Sequence, residues 1–194
     1  MKNKDIKKIM QFISEAGMLK NVTRSGWSVL GIKNPESVAE HCFRSSMIGY
    51  VLAVLEKASV QKVLLMTMLN DMSEARITDL HKMAQHYINT EDAEDRSYFD
   101  QISGLPKGFK EELTPLHKEY REQKTKESII ARDADILECL IQAKEYYEYG
   151  FNKAIKFTKK APGFLKTKSA KKLWQFAKNN NISDWWVNLS DFKR

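Results

Sequence analysis

The sequence predicts an all-α protein with a single domain, and three observations support that prediction. Apolar residues recur at helical intervals along most of the chain. Glycine and proline are sparse for a β protein, with 8 and 4 residues, and no alternation of apolar and polar residues lasts long enough to predict a strand. A length of 194 residues suits one domain with a substantial core.

The first predicted helix covers about residues 4 to 19, and a loop follows it. Apolar side chains with helical spacing mark the helix: Ile6, Ile9, Met10, Ile13 and Leu19. The loop, residues 21 to 34, is rich in glycine and serine and also contains Arg24 and Trp27. These side chains give the loop groups that can hold a bound molecule.

A second helix is predicted to end near Lys57, and two starts fit the sequence. One is Asn34 with Pro35 at the first helical position; the other is a capping box of Ser37 and Glu40. Its apolar positions predict a core helix: Val38, Met47, Ile48, Val51, Leu52 and Leu55. His41 lies in its first two turns.

The third predicted helix, from about residue 59 to 75, is the most informative segment of the chain. Residues 63–69 are apolar except for Thr67, which predicts a helix buried on most faces. Asn70, Asp71 and Glu74 follow at once. A carboxylate at the end of a buried helix is costly without a cation, metal or hydrogen-bond donor, so we expect such a partner opposite Asp71.

The remaining elements are also predicted to be helical. A short piece carries Tyr87, more exposed helices cover residues 92–102 and 107–122, and a second core helix covers residues 128–149. Two further helices and an Asp184-Trp-Trp-Val cluster, expected to cap the core, complete the chain. We expect one domain, residues 1–194, with a core of about 4–149 and basic helices in 150–194 packing on it.

Charge and composition limit the classes of function. The net charge is +7, and nine lysines but no acidic residue lie between Gly150 and Ser183. Apolar residues at helical intervals among them favour a solvated lysine face over a nucleic-acid site, so a nucleic-acid partner is not expected. No apolar run fits a signal peptide or membrane span, and Cys42 and Cys139 suggest no disulfide framework, so we expect a cytoplasmic protein.

Three predicted helices each bring one potential metal ligand into apolar surroundings. These residues are His41, Asp71 and Asp135, and an imidazole with carboxylates and open positions for water suits a divalent first-row metal. Glu74, one turn from Asp71, is placed to transfer a proton. Structural roles are the alternative: His41 as a satisfied core residue, Asp71 paired with Arg44 or Arg76, and Asp135 paired with Arg132 or Lys144.

These residues occur in segments that resemble a known family. The segments are Ser37-Val-Ala-Glu-His41, Leu69-Asn-Asp-Met-Ser-Glu-Ala-Arg-Ile-Thr-Asp-Leu80 and Asp133-Ala-Asp-Ile-Leu-Glu138, followed by Gln142-Ala-Lys-Glu-Tyr146. Together they resemble the HD-domain metal-dependent phosphohydrolase superfamily, in the branch that contains the 5'-deoxynucleotidases. The resemblance implies an all-α HD-domain helical bundle, a nucleoside monophosphate or similar small phosphate ester as substrate, and a homodimer.

The resemblance also implies roles for individual residues. His41, Asp71 and Asp135 match metal ligands, Glu74 matches the acid that assists proton transfer, and Asp79 matches an acidic residue near the sugar. In the loop before His41, two residues match substrate-binding positions: Arg24, near the phosphate-binding arginine, and Trp27, at the nucleotide.

One position departs from the family pattern, because Asn70 stands where the family has the histidine of its His-Asp doublet. A carboxamide offers a metal only a neutral oxygen, which binds transition metals more weakly than imidazole nitrogen. The expected cofactor is Mn²⁺, Co²⁺, Mg²⁺ or a similar divalent metal, with Asn70 at most a weak ligand; the other three ligands can hold it with extra waters, and this oxygen-richer shell favours Mn²⁺ or Mg²⁺. His81 and His86 are the alternative nitrogen donors. A degenerate protein that binds a nucleotide or partner without turnover is the alternative function.

Overall fold

The computed structural model describes residues 1–189, and this part of the chain contains helices but no strand. Its α-helices are α1 (Asn3–Met18), α2 (Ser25–Ser28), α3 (Val38–Glu56), α4 (Val60–Leu69), α5 (Glu74–Ile77), α6 (Lys82–Gln85), α7 (Thr90–Ser103), α8 (Lys107–Glu122), α9 (Lys126–Glu148) and α10 (Lys168–Asn179). Short 3-10 helices cover Asn152–Thr158, Ala161–Phe164 and Val187–Leu189. The predicted all-α fold is confirmed.

Helices α3, α4 and α9 pack against one another at the centre of the molecule. Their fully buried side chains include Leu52, Val63 and Leu137, and α8 and α10 cover the same core through Leu116 and Trp174. Burying each such aliphatic side chain contributes roughly 1.5–3 kcal/mol to stability. Three helices that are distant in sequence are thereby held in fixed positions relative to one another.

The capping box of Ser37 and Glu40 sets the start of α3. The Ser37 hydroxyl accepts the Glu40 N–H at 3.2 Å, and the Glu40 carboxylate accepts the Ser37 N–H at 2.6 Å. Two backbone donors at the helix start are satisfied in this way. Of the two starts that fit the sequence, the structure has the later one, so the Asn34-Pro35 pair lies outside the helix.

The helix predicted for residues 59–75 is shorter in the structure, because α4 ends at Leu69 and a turn separates it from α5. Side chains of α7 hydrogen-bond to the carbonyls of this turn. Gln101 Nε2 donates to the Met72 oxygen at 2.9 Å, and Ser97 Oγ donates to the Ser73 oxygen at 3.2 Å. These tertiary bonds stabilise a chain direction that local helical periodicity does not reveal.

The prediction that the apolar positions of α3 are core positions is only partly right. Val38 and Leu52 are fully buried, whereas Met47, Val51 and Leu55 are 52%, 41% and 55% exposed. The two sets adjoin around the helix, since Leu52 and Leu55 are three residues apart, and the exposed set extends to Met47, on the side opposite Val38. Apolar side chains therefore lie on two sides of α3, and the described residues of the chain cover only one of these sides.

The C-terminal segment attaches to α9 through a buried carboxylate. Asp133 accepts the backbone N–H groups of Lys166 and Thr167 at 2.9 and 2.7 Å. The predicted Trp-Trp cap is wrong, since Trp185 and Trp186 are 75% and 52% exposed. They follow α10, whose buried side already completes this part of the core. No helix within residues 1–189 is both long and apolar enough to cross a membrane.

Candidate metal centre

His41 lies at the meeting point of the three central helices, with its side chain almost fully buried. Its Nε2 atom is 3.1 Å from Asp135 Oδ1, on α9, and 3.4 Å from Asp71 Oδ2, just after α4. The three residues singled out as metal ligands therefore come together around one imidazole nitrogen. The expected partner of Asp71 is present, and it is His41.

The other imidazole nitrogen of His41 is held by a buried carboxylate. Nδ1 is 2.5 Å from Glu138 Oε2, and Arg44 donates to Glu138 Oε1 from Nε at 2.9 Å and from Nη2 at 2.7 Å. Although burial opposes ionisation, His41 and Arg44 hold the pKa of Glu138 below its usual value. A carboxylate on the far nitrogen fixes the ring and directs Nε2 toward a metal, as in carboxylate–histidine–metal arrangements.

A different group, Glu36, His41 and Glu138, has ligand atoms that all lie within 4.8 Å of one another and could hold a metal by spacing alone. Its carboxylates already have protein donors, because Trp27 Nε1 donates to Glu36 at 2.9 Å and Arg44 donates to Glu138. Burial, and then the charge of Glu138, raise the pKa of Glu36 to about 7. The Nε2 side of His41 is therefore the better metal position.

A cavity of about 510 Å³ opens beside Asp71 and Asp135. The substrate-binding and proton-transfer residues expected from the sequence also line it, namely Arg24, Trp27, Glu74 and Asp79, as does Asn70, the weak ligand candidate. Helices α5 and α9, the turn after α4 and the loop before α3 thus contribute to its wall. The volume lies in the range of small-molecule sites, which is roughly 300–1,000 Å³.

Glu74 has the chemistry of a proton carrier. Its Oε2 atom is buried and has no hydrogen-bond partner among residues 1–189. Burial, followed by the charges of Asp71 and Asp79, raises the pKa of Glu74 to about 10. Asp79 is positioned by a 2.6 Å hydrogen bond from the Ser25 N–H. The result is an acidic wall that a cation would stabilise.

Arg24 is the basic group that faces Asp71 from the loop before α3. Its Nη1 atom is 3.9 Å from Asp71 Oδ2, and its side chain is 17% exposed. Trp27, in contrast, is chiefly a core residue: its ring packs against Tyr146 and Phe157, with centroids 5.2 and 4.7 Å away. Trp27 is 2% exposed, so little of its surface is available to a molecule in the cavity.

The structure contains only some of the ion pairs that were the alternatives to metal binding by Asp71 and Asp135. Arg44 bonds to Glu138 rather than to Asp71, and Arg76 bonds to Glu15 on α1. Arg132 does pair with Asp135, through Nη1 at 2.7 Å from Oδ2. That bond leaves Asp135 Oδ1 facing His41.

The alternative nitrogen donors differ in their positions. His81 lines the cavity, where its Nδ1 caps α6 by accepting the Ala84 N–H at 3.1 Å. His86 is not among the lining residues of this cavity. Asn70 Nδ2 donates to Asp71 Oδ1 at 2.8 Å, which leaves Oδ2 facing His41 and Arg24.

This donor set fits a divalent metal. One imidazole nitrogen and two carboxylates converge beside a cavity that has room for water, which is the composition of an open metal site. Sequence reasoning missed the support given by Arg44 and Glu138, having considered Arg44 only as a partner of Asp71. The signal was present, since Glu138 follows Asp135 by one turn of α9 and shares its side of the helix.

Comparison with known proteins identifies the family. The HD domain model matches residues 16–174. A zebrafish (Danio rerio) protein named 5'-deoxynucleotidase HDDC2 is 29% identical over 141 residues, 72% of this chain and 70% of the relative. The human protein of the same name is 27% identical over 139 residues, 71% of this chain and 68% of the relative.

Solved structures support the same assignment. A conserved hypothetical protein from Pyrococcus furiosus is 31% identical with a TM-score of 0.74, and covers 88% of this chain and 97% of its own. A predicted metal-dependent phosphohydrolase from Magnetospirillum magnetotacticum, 19% identical, shares the fold with a TM-score of 0.68 over 91% of this chain and 92% of its own. The sequence match and the shared fold together establish that this chain belongs to the HD-domain family.

Proposed function

We propose that this HD-domain protein is a metal-dependent phosphohydrolase that releases phosphate from nucleoside monophosphates or similar small phosphate esters. The observation that carries the proposal is the convergence of Asp71 and Asp135 on His41 Nε2, at 3.4 and 3.1 Å, beside a cavity. The nucleotide class is supported by relatives named as 5'-deoxynucleotidases.

His41, Asp71 and Asp135 would hold a divalent metal, which supplies an activated water and offsets charge on a phosphoryl oxygen. Glu138 and Arg44 keep the His41 ring oriented from behind. Glu74, protonated because of its raised pKa, can donate a proton to the leaving oxygen.

The cavity lining divides into groups suited to different parts of a nucleotide. Arg24 provides a fixed positive charge near Asp71, where a phosphate would approach the metal. Asp79, held by the Ser25 N–H, offers a carboxylate to a sugar hydroxyl, and the edge of Trp27 offers an apolar contact. The substrate is thus bound through its phosphate and its sugar, with Arg24 and Asp79 as the polar contacts.

The test is phosphate release from a panel of nucleoside monophosphates, measured with added Mn²⁺, Co²⁺ and Mg²⁺, together with the metal content of the protein. Asp71→Asn should lose both bound metal and hydrolysis, because an amide cannot supply the negative charge. Asp100→Asn, an exposed position on α7 outside the cavity lining, is the matched control and should keep both. Full activity in Asp71→Asn would place the reaction elsewhere.

A second candidate function is nucleotide binding without turnover. The observation that favours it is Asn70, whose carboxamide donates to Asp71 instead of providing an imidazole nitrogen. Phosphate release by Asn70→His separates the two candidates. A large gain over an inactive parent supports the binding protein, whereas an active parent supports the enzyme.

The proposal includes a homodimer. An apolar stripe runs along the exposed side of α3 and consists of Phe43, Met47, Tyr50, Val51, Val54 and Leu55. Arg44, the charged residue within this stretch, points instead to Glu138 and Glu145 on α9. Contiguous exposed apolar surface of this kind marks interaction sites.

The setting we propose is the cytosol, since Cys42 and Cys139 are free thiols. We do not propose a nucleic-acid partner for the lysines of residues 150–183. Such a partner would show itself by binding DNA or RNA with a steep salt dependence.

A further inference from the structure

Asn70 occupies a position from which it can affect a metal without being a strong ligand. Its backbone N–H bonds to the Met66 oxygen at 3.0 Å and continues the hydrogen-bond pattern of α4. Its side chain lines the cavity together with Asp71 and Asp135. The carboxamide Nδ2 donates to Asp71 Oδ1 at 2.8 Å, so the nitrogen of Asn70 acts as a donor to a carboxylate.

The donor set of the site is therefore rich in oxygen. His41 Nε2 is the one imidazole nitrogen that faces Asp71 and Asp135 within the described residues. Other positions around a metal would be filled by carboxylate oxygen, water or the neutral carboxamide oxygen. Oxygen ligands suit Mg²⁺ and Mn²⁺, while imidazole adds most to the binding of Co²⁺, Ni²⁺ and Zn²⁺.

We propose that Asn70 determines the metal preference of this site, shifting it toward Mn²⁺ and Mg²⁺ compared with the same site carrying a histidine. The inference rests on the proposed function, because it concerns the same metal position. It adds the class of cofactor and assigns that choice to one residue of this chain.

The hydrogen bond from Asn70 lowers the affinity for all divalent cations and does not discriminate among them. A donor on Asp71 Oδ1 withdraws electron density from the carboxylate and makes it a weaker ligand. Arg24, 3.9 Å from Asp71 Oδ2, also opposes cation binding. Its charge acts on all divalent cations alike and does not discriminate among them. Selectivity among divalent cations must therefore arise from the donor atoms. At position 70 the site has a carboxamide in place of the imidazole that a histidine would supply.

The experiment is isothermal titration calorimetry of the full chain with the chloride salts of Mn²⁺, Mg²⁺, Co²⁺ and Ni²⁺, without substrate. The quantity of interest is the ratio of the Mn²⁺ dissociation constant to that of Co²⁺ or Ni²⁺. Asn70→His should raise this ratio at least tenfold, on the order of the effect of supporting residues on metal affinity. Electron paramagnetic resonance of bound Mn²⁺ gives a second readout of the wild-type ligand environment.

Two controls make the result specific. Asn70→Ala removes the hydrogen bond without adding an imidazole, and should change all four constants by similar factors. Asp71→Asn should abolish binding of each cation.

The wild-type titration separates failure of this inference from failure of the proposed function. If wild type and Asn70→His show the same ratio within threefold, or if Asn70→Ala changes it as much as histidine does, the proposal for Asn70 is overturned while the metal site stands. If wild-type protein binds none of the four cations, the metal site itself is overturned, and the inference with it.

Discussion

At the scale of single residues, burial and hydrogen bonding decide what each polar side chain can do. His41, Asp71 and Asp135 could be singled out from the sequence because each follows or interrupts an apolar run. The support of His41 by Glu138 and Arg44 could not be predicted, since it joins residues 94 and 97 positions apart. The local sequence pattern identifies polar side chains in apolar surroundings, but their hydrogen-bond partners are determined by the packing of distant helices.

Two buried tyrosines provide a direct test of this principle. Tyr98 donates its hydroxyl to the Leu113 oxygen at 3.3 Å, whereas the Tyr120 hydroxyl, although close to Arg132, makes no hydrogen bond of standard geometry among residues 1–189. Tyr98→Phe should reduce the free energy of unfolding by about 1 kcal/mol, the usual net value of one hydrogen bond. Tyr120→Phe should leave that free energy unchanged or raise it, because an unsatisfied buried hydroxyl is removed.

Urea denaturation of both variants beside wild type measures these changes. The two substitutions remove the same atom from similarly buried rings, so differences in packing largely cancel. An equal loss of stability in both variants would contradict the prediction and would mean that the Tyr120 hydroxyl is paired in solution.

At the scale of elements, helix starts were easier to predict than helix ends. The capping box of Ser37 and Glu40 is a local signal and appears in the structure as predicted. The end of α4 at Leu69 depends on Gln101 and Ser97 of α7, which are remote in sequence. The turn after α4 brings Asp71 and Glu74 to one cavity although they do not share one helix.

The crossing of α3 and α4 depends on Gly49, which leads to a second stability prediction. A Cβ atom at Gly49 would lie 3.1 Å from both Val63 Cγ1 and Thr67 Cγ2. Gly49→Leu should therefore lower the free energy of unfolding by about 1–3 kcal/mol through overpacking.

Gly17→Leu is the matched control, since a Cβ atom at Gly17 in α1 meets nothing within 4 Å. The better helix propensity of leucine should raise the free energy of unfolding there by about 0.5–1 kcal/mol. Thermal denaturation followed by circular dichroism distinguishes the two variants. Equal effects of the same sign at both glycines would show that close packing at Gly49 is not what matters.

At the scale of the whole molecule, the candidate site is a product of assembly. Helices α3 and α9 and the turn after α4 each contribute one candidate ligand, and the packing of α3, α4 and α9 against one another brings the three together. The sequence predicted the helices, and it singled out the three candidate ligands that the structure brings close together. The prediction of buried surface was wrong in two places. The Trp-Trp segment is exposed, and one of the two apolar sides of α3 is uncovered. Apolar residues at an interface between chains and in a core have the same sequence signal.

The exposed apolar stripe of α3 yields the last prediction, which concerns the homodimer. A helix that is apolar on both sides is expected to be buried on both sides, and a second copy of the chain offers the same stripe in return. Sedimentation equilibrium should give wild-type protein twice the chain mass of 22.5 kDa. Met47→Glu with Val54→Glu would place two unpaired charges per chain in the interface. The dimer dissociation constant should then rise at least about 100-fold, equivalent to about 2.7 kcal/mol.

Ile13→Glu is the control for this experiment, because Ile13 is 54% exposed on α1, outside the stripe, while Met47 and Val54 are each 52% exposed. The control should remain dimeric, and all variants should keep the thermal stability of their helices. A monomeric wild-type protein at all concentrations, or a glutamate variant that dimerises as tightly as wild type, would exclude this stripe as the dimer interface. Because His41 is buried whereas the stripe is exposed, a monomeric variant would also reveal how far dimerisation supports the candidate metal centre.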